Sequence, residues 1–288
     1  MTDPPTPETA RALAPGLYVV STPIGNLRDL SLRALDILTA CDLVLAEDTR
    51  VTGKLLSHYG LSKRVERYDD HTGERSRPKI LAALAAGGRL ALVSDAGTPL
   101  VSDPGYRLVR EAAARGIAVI PAPGASAVLA ALAVAGLPTD RFLFAGFTPA
   151  KSAGRRALFE ELAGVRATLI FYETGPRVAD SLADMAAVFG PDREAVVARE
   201  LTKLYETVLR GTLAELAAEP RLAAPKGEIV VLVGAGRAQA ATLEEADAAL
   251  AEALTRLGPS EAAAEVARGL GLNKRDLYRR ALALKGVA

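Results

Sequence analysis

Short apolar runs alternate with stretches of helical spacing along most of this chain, and this alternation restricts the folds open to it. Nearly continuous apolar runs occur at residues 17–22, 43–46, 90–93 and 117–120, with helical patterns between them. Apolar strands separated by helices are typical of a mostly parallel sheet that is covered on both faces. The sequence therefore predicts an α/β fold.

A second series of the same kind follows, and the composition then changes. Further strands are predicted at residues 142–145, 168–172, 196–199 and 228–233. From residue 240 onward Ala, Leu, Glu and Arg dominate, and helices are predicted at 243–257, 260–269 and 274–285, with Ser260 and Asn273 as N-caps. We expect a tail at 1–15, an N-terminal α/β domain at 16–123, a C-terminal α/β domain at 124–237 and a helical segment at 238–288. The boundary is placed near Gly124 because Pro121 and Pro123 interrupt regular structure there.

Composition narrows the classes of function. The 288 residues carry a net charge of +1, which gives no whole-chain signature of a nucleic-acid binder. A single cysteine, Cys41, excludes an intramolecular disulfide and indicates a reducing compartment, and two histidines disfavour a zinc site, so we expect no metal. No run approaches the ~20 apolar residues that span a bilayer. We expect a soluble, cytoplasmic protein.

Polar loops follow the predicted strands, at the edge where open α/β sheets bind ligands. The loop after residues 90–93 contains Asp95, Gly97, Thr98, Ser102 and Asp103, and another polar loop runs from Pro121 to Ser126. Two such loops at neighbouring strand ends indicate one small-molecule site. The G-x-G-x-x-G and G-x-x-x-x-G-K-[ST] fingerprints are missing from the sequence, which disfavours a dinucleotide-dependent dehydrogenase and a nucleotide hydrolase.

Charged clusters follow several other predicted strands, and each also has a purely structural explanation. In Glu47-Asp-Thr-Arg50, helix capping by Asp48 or Thr49 accounts for one residue but not for the whole set. Arg177 is suited to clamping a phosphate or to pairing with Glu173. The segment 199–206 suits a salt-bridged surface turn as well as it suits a functional loop. Five polar strand ends from two domains favour a site. A basic face near the C-terminus suits nucleic-acid contact or a solvated surface equally; its residues are Lys274, Arg275, Arg279, Arg280 and Lys285.

Taken together, these motifs resemble those of the bacterial small-subunit rRNA (cytidine-2′-O)-methyltransferases, a family of the tetrapyrrole methylase superfamily. The resemblance spans about residues 16–236 in order, and the helical tail after them. It is carried by Thr22-Pro-Ile-Gly-Asn-Leu, Ala46-Glu-Asp-Thr-Arg, Val93-Ser-Asp-Ala-Gly-Thr-Pro, Asp103-Pro-Gly, Ala135-Gly-Leu-Pro, Phe171-Tyr-Glu, Ala198-Arg-Glu-Leu-Thr-Lys and Lys226-Gly-Glu.

The resemblance implies two α/β domains with S-adenosylmethionine in the cleft between them, in a homodimer. The implied reaction moves a methyl group to the ribose 2′-hydroxyl of a decoding-centre cytidine, so the implied partner is 16S rRNA or the small ribosomal subunit. The residues expected to bind the cofactor are Pro23, Asp95, Gly97, Thr98, Ser102, Pro121, Gly124, Ser126, Phe171 and Tyr172.

For catalysis we expect Glu47 or Asp48 as general base, with Arg50 and Lys203 holding phosphate or activating the hydroxyl. The chain departs from the family pattern at Thr174-Gly-Pro-Arg177, which lacks a histidine, and at His71-Thr72, which replaces a His-Asn pair.

Two other functions compete with this hypothesis. The first is a methylase of the same superfamily that acts on a tetrapyrrole carbon, against which the Thr22 and Glu47 motifs and the basic tail argue. The second is a non-catalytic RNA-binding or ribosome-assembly factor. Such a factor usually carries more positive charge or more stacking aromatics than this chain, which has no Trp and 5% aromatic residues.

Overall fold

Two five-stranded sheets and a C-terminal group of helices make up the fold. The computed structural model describes residues 13–69, 73–236, 243–270 and 272–285. Most of the predicted N-terminal tail, His71 with Thr72, and the start of the predicted helical segment at 238 lie outside these residues. In the described part of the chain, no helix has the length and apolar character needed to cross a membrane.

The first sheet is parallel throughout, with the strand order β3-β2-β4-β1-β5. Its strands are β1 Gly16–Val20, β2 Leu43–Ala46, β3 Val65–Arg67, β4 Arg89–Val93 and β5 Val119–Ala122. The connecting helices are α1 Leu32–Ala40, α2 Thr49–His58, α3 Gly73–Ala85 and α4 Tyr106–Ala114. Alternate residues of β1 face two separate cores: Leu17 packs in one and Tyr18 in the other. This is why the strand reads as a continuous apolar run.

The second sheet is mixed, with the order β6-β7-β10-β8-β9. Its strands are β6 Phe142–Phe147, β7 Thr168–Thr174, β8 Glu194–Arg199, β9 Thr207–Thr212 and β10 Glu228–Val233. Strand β10 runs antiparallel to both of its neighbours, and β9 runs antiparallel to β8. The helices of this half are α5 Ala127–Ala135, α6 Ser152–Leu162, α7 Val178–Phe189 and α8 Leu213–Ala217. Helix α5 covers one face of the sheet, and α6, α7 and α8 cover the other.

The predicted two-part α/β architecture is confirmed, with corrections to three strands. Strand β3 has three residues, two of them charged, and β9 contains an Arg and a Gly, so neither shows an apolar run in the sequence. Strand β5 pairs with β1 only from Val119 on, because the run at 117–120 begins in the turn after Gly116. The boundary near Gly124 stays a prediction, which the packing of α5 on the second sheet supports.

Three C-terminal helices form a core of their own, as the sequence predicts. They are α9 Leu243–Leu254, α10 Pro259–Leu270 and α11 Lys274–Leu284, and their buried residues are mostly Ala and Leu. The Asn273 side chain caps α11 by accepting a hydrogen bond from the Arg275 N–H at 2.8 Å. The predicted cap at Ser260 is wrong: α10 begins one residue earlier, at Pro259, where proline suits the first helical position.

Candidate functional site

A cavity of about 430 Å³ lies between the two sheets, at the carboxyl ends of several strands. Both α/β halves contribute to its wall, so it occupies the place where the sequence predicts a ligand site. The first half supplies Ile24, Glu47, Asp95, Ala96, Gly97, Thr98, Val101, Ser102 and Asp103. The second half supplies Ser126, Ala127, Phe147, Tyr172, Glu173, Thr174, Ala198, Leu201, Gly227, Glu228, Ile229 and Val230.

The ends of β1 and β4 are tied together beneath the cavity. Thr22 and Gly97 exchange two backbone hydrogen bonds, of 2.8 and 3.0 Å. The Thr22 hydroxyl donates to the Ser94 carbonyl at 3.1 Å, and the Ser94 hydroxyl donates to the Gly97 carbonyl at 3.2 Å. Gly97 has a φ of +84°, which glycine adopts without strain. The floor of the site is therefore held by backbone hydrogen bonds and by the hydroxyls of Thr22 and Ser94.

The loop between β5 and α5 is fastened to the same floor. The Thr98 hydroxyl donates to the Ala125 carbonyl at 3.2 Å and lies 3.0 Å from the Ser21 hydroxyl. A side chain at Gly124 would place its Cβ 3.0 Å from the Cβ of Ser21, so glycine lets the two loops approach closely. Ser126 then begins α5 as its N-cap residue and lines the cavity.

A strained loop at residues 99–105 closes one side of the cavity. Leu100 and Ser102 have φ values of 74° and 66°, which are uncommon for residues with side chains. Such strain persists where the surroundings enforce it, and it concentrates at functional sites. The Ser102 hydroxyl reaches the second half of the molecule near Gly146. Asp103 lines the cavity, and burial raises the pKa of its carboxyl to about 6, with Ser94 opposing and Asp95 adding to this effect.

Tyr172 forms the opposite wall. Its ring makes edge contacts with Phe144 and Phe147, at centroid distances of 4.7 and 5.3 Å. Burial raises the pKa of Tyr172 to about 12, and the charge of the nearby Asp103 carboxylate adds to this effect. The ring therefore stays neutral and offers an aromatic surface to a ligand.

Phe171 does not reach the cavity. Successive side chains of a strand point to opposite faces of the sheet. Phe171 is fully buried on the far face, where its ring lies 5.4 Å from that of Phe159. Its predicted contact with a cofactor is not supported by this placement.

Glu173 is buried at the end of β7 and is surrounded by donors. It accepts hydrogen bonds from the hydroxyls of Thr148 and Ser181, and from the Thr174 N–H at 2.7 Å. Arg177 pairs with it at 3.3 Å. The sequence is consistent with Arg177 either binding a phosphate or pairing with Glu173. The structure shows the pairing with Glu173.

The loop between β8 and β9 joins the two halves at the mouth of the site. Lys203 Nζ lies 2.9 Å from a carboxylate oxygen of Glu200 and 2.9 Å from one of Glu228. A Cβ on Gly25 would lie 2.4 Å from Lys203 Cγ, so the first-half loop touches this side chain directly. Lys203 therefore braces Glu228, which lines the cavity, rather than lining it itself.

The structure brings half of the predicted site residues to the cavity. Those that line it are Glu47, Asp95, Gly97, Thr98, Ser102, Ser126 and Tyr172. Gly124 and Lys203 support the wall from behind, and Pro23 is buried between two residues that border the site. Pro121 is exposed, and its carbonyl accepts a hydrogen bond from Arg33.

Asp48 and Arg50 lie outside the cavity. Asp48 is the N-cap of α2, accepting a hydrogen bond from the Arg50 N–H at 2.8 Å. The Arg50 side chain, 86% exposed, also forms an ion pair with this carboxylate. The side-chain hydrogen bond from Arg50 holds the pKa of Asp48 well below its usual range. The capping explanation thus accounts for Asp48.

The site residues expected from the sequence leave out several that line the cavity: Asp103, although it lies in the predicted ligand loop, and also Glu173, Gly227 and Glu228. All four lie in motifs that carry the family resemblance or directly beside one. Only the fold shows which member of each motif faces inward.

The cavity is strongly acidic. Five carboxylate residues line it, and none of the described lining residues is Lys, Arg or His. Apolar side chains such as Val101, Leu201 and Val230 form much of the remaining wall. A site of this kind attracts a small ligand that combines positive charge with apolar surface.

Family comparisons cover nearly all of the chain. Residues 16–217 match the family described as Tetrapyrrole (Corrin/Porphyrin) Methylases. Residues 240–285 match the family described as RsmI C-terminal HTH domain.

Curated relatives match along nearly their full length. The chain is 54% identical over 277 residues to "Ribosomal RNA small subunit methyltransferase I" of Erythrobacter litoralis, covering 96% of this chain and 98% of that protein. It is 47% identical over 277 residues to the protein of the same name from Escherichia coli O157:H7, covering 94% of this chain and 96% of the other.

Solved structures share the fold at lower identity. A cobalt precorrin-4 methyltransferase of cobalamin biosynthesis is similar with a TM-score of 0.56 and 18% identity, over 76% of this chain and 94% of that chain. A diphthine synthase is similar with a TM-score of 0.58 and 17% identity, over 76% of this chain and 89% of that chain. The family match, the relatives that align over most of the chain and the shared fold agree. We conclude that this chain is a methyltransferase that belongs to the tetrapyrrole methylase family.

Proposed function

We propose that this chain transfers the methyl group of S-adenosylmethionine to the ribose 2′-hydroxyl of a cytidine in 16S rRNA. The observation that carries the proposal is the acidic cavity between the two sheets. The name of the relatives, which describes them as small-subunit rRNA methyltransferases, supports RNA as the methyl acceptor.

The residues present fit S-adenosylmethionine. The volume of about 430 Å³ lies within the range of roughly 300–1,000 Å³ for small-ligand sites. The cofactor is a cation at its sulfonium, which the carboxylates of the wall favour, and its adenosine suits the apolar and aromatic surfaces. When bound, it supplies a methyl group activated by the positively charged sulfur.

We assign the binding of this cofactor to residues from both halves. Asp95, Thr98 and Ser126 offer side-chain oxygens, and the absence of a side chain at Gly97 exposes backbone to the ligand. Tyr172 offers an aromatic face, and Ser102 closes the side of the cavity. Phe171 and Pro121 have no direct part in this assignment.

The chain's contribution to the reaction is alignment and proton transfer. Holding the hydroxyl in line with the methyl group supplies of order 7–11 kcal/mol where alignment is ideal. A carboxylate of the wall takes the hydroxyl proton, which adds roughly 10²–10⁴-fold. Of the two bases expected from the sequence, Glu47 lines the cavity, whereas Asp48 serves as the N-cap of α2. Arg50 is exposed, which suits a contact with the RNA backbone.

RNA contact is assigned in part to the C-terminal helices. Lys274 and Arg275 are exposed at the start of α11 and form no ion pair among the described residues. Arg279 and Arg280 pair with Asp276 and Asp247, so part of the basic face is neutralised. The remaining cations suit the phosphate backbone.

Transfer of radiolabelled methyl from S-adenosylmethionine tests the proposal. Purified small ribosomal subunits, free 16S rRNA and uroporphyrinogen are offered as acceptors in parallel. Label in the RNA of either ribosomal sample supports the proposed acceptor. Label in the tetrapyrrole alone favours the competing methylase hypothesis. Binding of the cofactor is measured separately by calorimetry, and no binding would refute the assignment of the cavity.

A homodimer is part of the same proposal, and it rests on the family resemblance. Sedimentation equilibrium of the full chain measures it directly, because a dimer has twice the 30.0 kDa mass of the chain. A single species of the chain mass at assay concentrations contradicts it.

A further inference from the structure

We propose that Asp103 is the catalytic residue that accepts the proton of the acceptor hydroxyl. The inference rests on the proposed function, because it requires a hydroxyl as the methyl acceptor. It also selects one carboxylate among the five that line the cavity.

The strained loop holds Asp103 at the cavity wall. It follows Ser102, whose φ is 66°, and precedes Pro104 and Gly105, whose φ is 127°. A Cβ on Gly105 would lie 2.8 Å from Leu92 Cδ2, so glycine lets the end of the loop lie against β4. The Ser94 hydroxyl, which donates to the Gly97 carbonyl at 3.2 Å, lies near the Asp103 carboxyl at the end of the same strand. The constrained backbone of this loop fixes the position of the Asp103 carboxyl at the cavity wall.

Other carboxylates of the wall are occupied by donors. Asp95 accepts the Asp48 N–H at 3.0 Å, and Glu228 is paired with Lys203 at 2.9 Å. Glu173 has two hydroxyls, one backbone N–H and Arg177 as partners. Within the described residues, by contrast, no cation acts on Asp103, whose interactions are with Ser94 and Asp95. Compared with these three, Asp103 is therefore the carboxylate whose proton affinity is least reduced by donors.

The other titratable residues that line the cavity are Asp95, Glu47, Tyr172, Glu173 and Glu228. None of them is basic. The Glu173 carboxylate is turned away toward Thr148 and Ser181, and Asp95 is the charged group that acts on Asp103. Burial raises the pKa of Asp103 to about 6. The Ser94 hydroxyl opposes this increase, and the charge of Asp95 adds to it. At neutral pH the group is ionised, and it is a stronger base than an ordinary carboxylate.

The reaction step balances at this residue. The ribose 2′-oxygen forms a bond to the methyl carbon, while the bond between that carbon and sulfur breaks and leaves its electron pair on sulfur. The hydroxyl proton passes to the Asp103 carboxylate as the new bond forms. The products are the methyl ether, the neutral thioether and a protonated Asp103, which returns its proton to water.

Methyl transfer by the full-length Asp103→Asn protein tests the inference. We expect kcat to fall by about 10²–10⁴-fold. The affinity for S-adenosylmethionine, measured by calorimetry, is expected to stay within about threefold of wild type. Wild-type kcat should rise with pH through an apparent pKa of about 6, and this limb should be lost in Asp103→Asn and kept in Glu47→Gln. Asp140→Asn, at the opposite end of β6 from the cavity, is the matched surface control and should keep the wild-type rate.

A second readout does not depend on activity. In cofactor-free protein labelled with ¹³C-aspartate, we expect one carboxyl resonance that titrates near pH 6 and is missing from Asp103→Asn. Loss of cofactor affinity without loss of kcat, or loss of the acidic limb in Glu47→Gln, overturns the inference. If wild type binds cofactor and labels no RNA, the proposed function fails, whatever the titration of Asp103 shows.

Discussion

Two consecutive residues of β7 have opposite environments, although the sequence presents them as one motif. Phe171 belongs to the core under α6 and α7, and Tyr172 belongs to the cavity wall. The alternation of a strand separates them, and the sequence alone does not tell which of the two faces the ligand.

Replacing each residue by Ala should separate stability from binding. Phe171→Ala should lower the free energy of unfolding by about 3–5 kcal/mol, because it empties part of a packed core. Tyr172→Ala should weaken cofactor binding by about 1–3 kcal/mol through the loss of stacking. Chemical denaturation and calorimetry measure the two effects. A Phe171→Ala protein that is fully stable but does not bind the cofactor would contradict this division.

Gly227 shows how a single missing side chain shapes the site. Its φ is +100°, and a Cβ there would lie 2.4 Å from the carboxylate of Glu200. Glu200 in turn accepts hydrogen bonds from Lys203 at 2.9 Å and from the Glu228 N–H at 3.0 Å.

Gly227→Ala should therefore lower stability by about 1–3 kcal/mol and also weaken cofactor binding, since Glu200 must leave these partners. Gly60→Ala is the control, because Gly60 has a φ of +68° but open space around it. The control should lose stability through backbone strain alone and bind the cofactor normally. Equal cofactor affinities in the two variants would refute the role given to Gly227.

At the scale of elements, the sequence predicts most helices and strands correctly because their apolar periodicity is strong. It misses β3 and β9, whose residues are short or polar, since those strands are held by pairing with neighbours rather than by burial of their own side chains. The capping of α2 by Asp48 was foreseeable as an alternative. The contact between Gly25 and Lys203 was not, because it joins loops far apart in the chain.

Helix α8 offers a prediction at this scale. The Thr212 hydroxyl accepts the Glu215 N–H at 3.2 Å, and Glu215 accepts the Thr212 N–H at 2.8 Å, which forms a capping box. Thr212→Ala should lower the free energy of unfolding by about 1 kcal/mol, and Thr212→Ser should restore most of it. Thermal and urea unfolding measure the change. Methyl transfer should be unaffected, and a loss of activity in a folded protein would contradict a purely structural role.

In the molecule as a whole, the cavity forms because the loops at the strand ends of the two sheets lie opposite each other. Family resemblance identifies those loops from the sequence. The inward-facing members, such as Asp103 and Glu228, emerge only when both halves are assembled. Sequence periodicity carries no information about which loop of one half meets which loop of the other.

The C-terminal helices should contribute affinity for RNA rather than chemistry. A Lys274→Glu/Arg275→Glu double variant should bind small subunits more weakly, and the slope of log affinity against log salt should fall by about one for each phosphate that it no longer neutralises. Its affinity for the cofactor should not change. Arg115→Glu, at the end of α4 in the first half, is the control. Unchanged subunit affinity in the double variant, measured by filter binding across salt concentrations, would contradict this assignment.

Nucleoside analysis of the RNA product tests the proposed methyl acceptor directly. Small subunits are incubated with the protein and isotopically labelled S-adenosylmethionine, and their RNA is digested and separated by mass spectrometry. We expect label in 2′-O-methylcytidine. Label on a base, or in no nucleoside of the RNA while the protein binds the cofactor, contradicts the proposal.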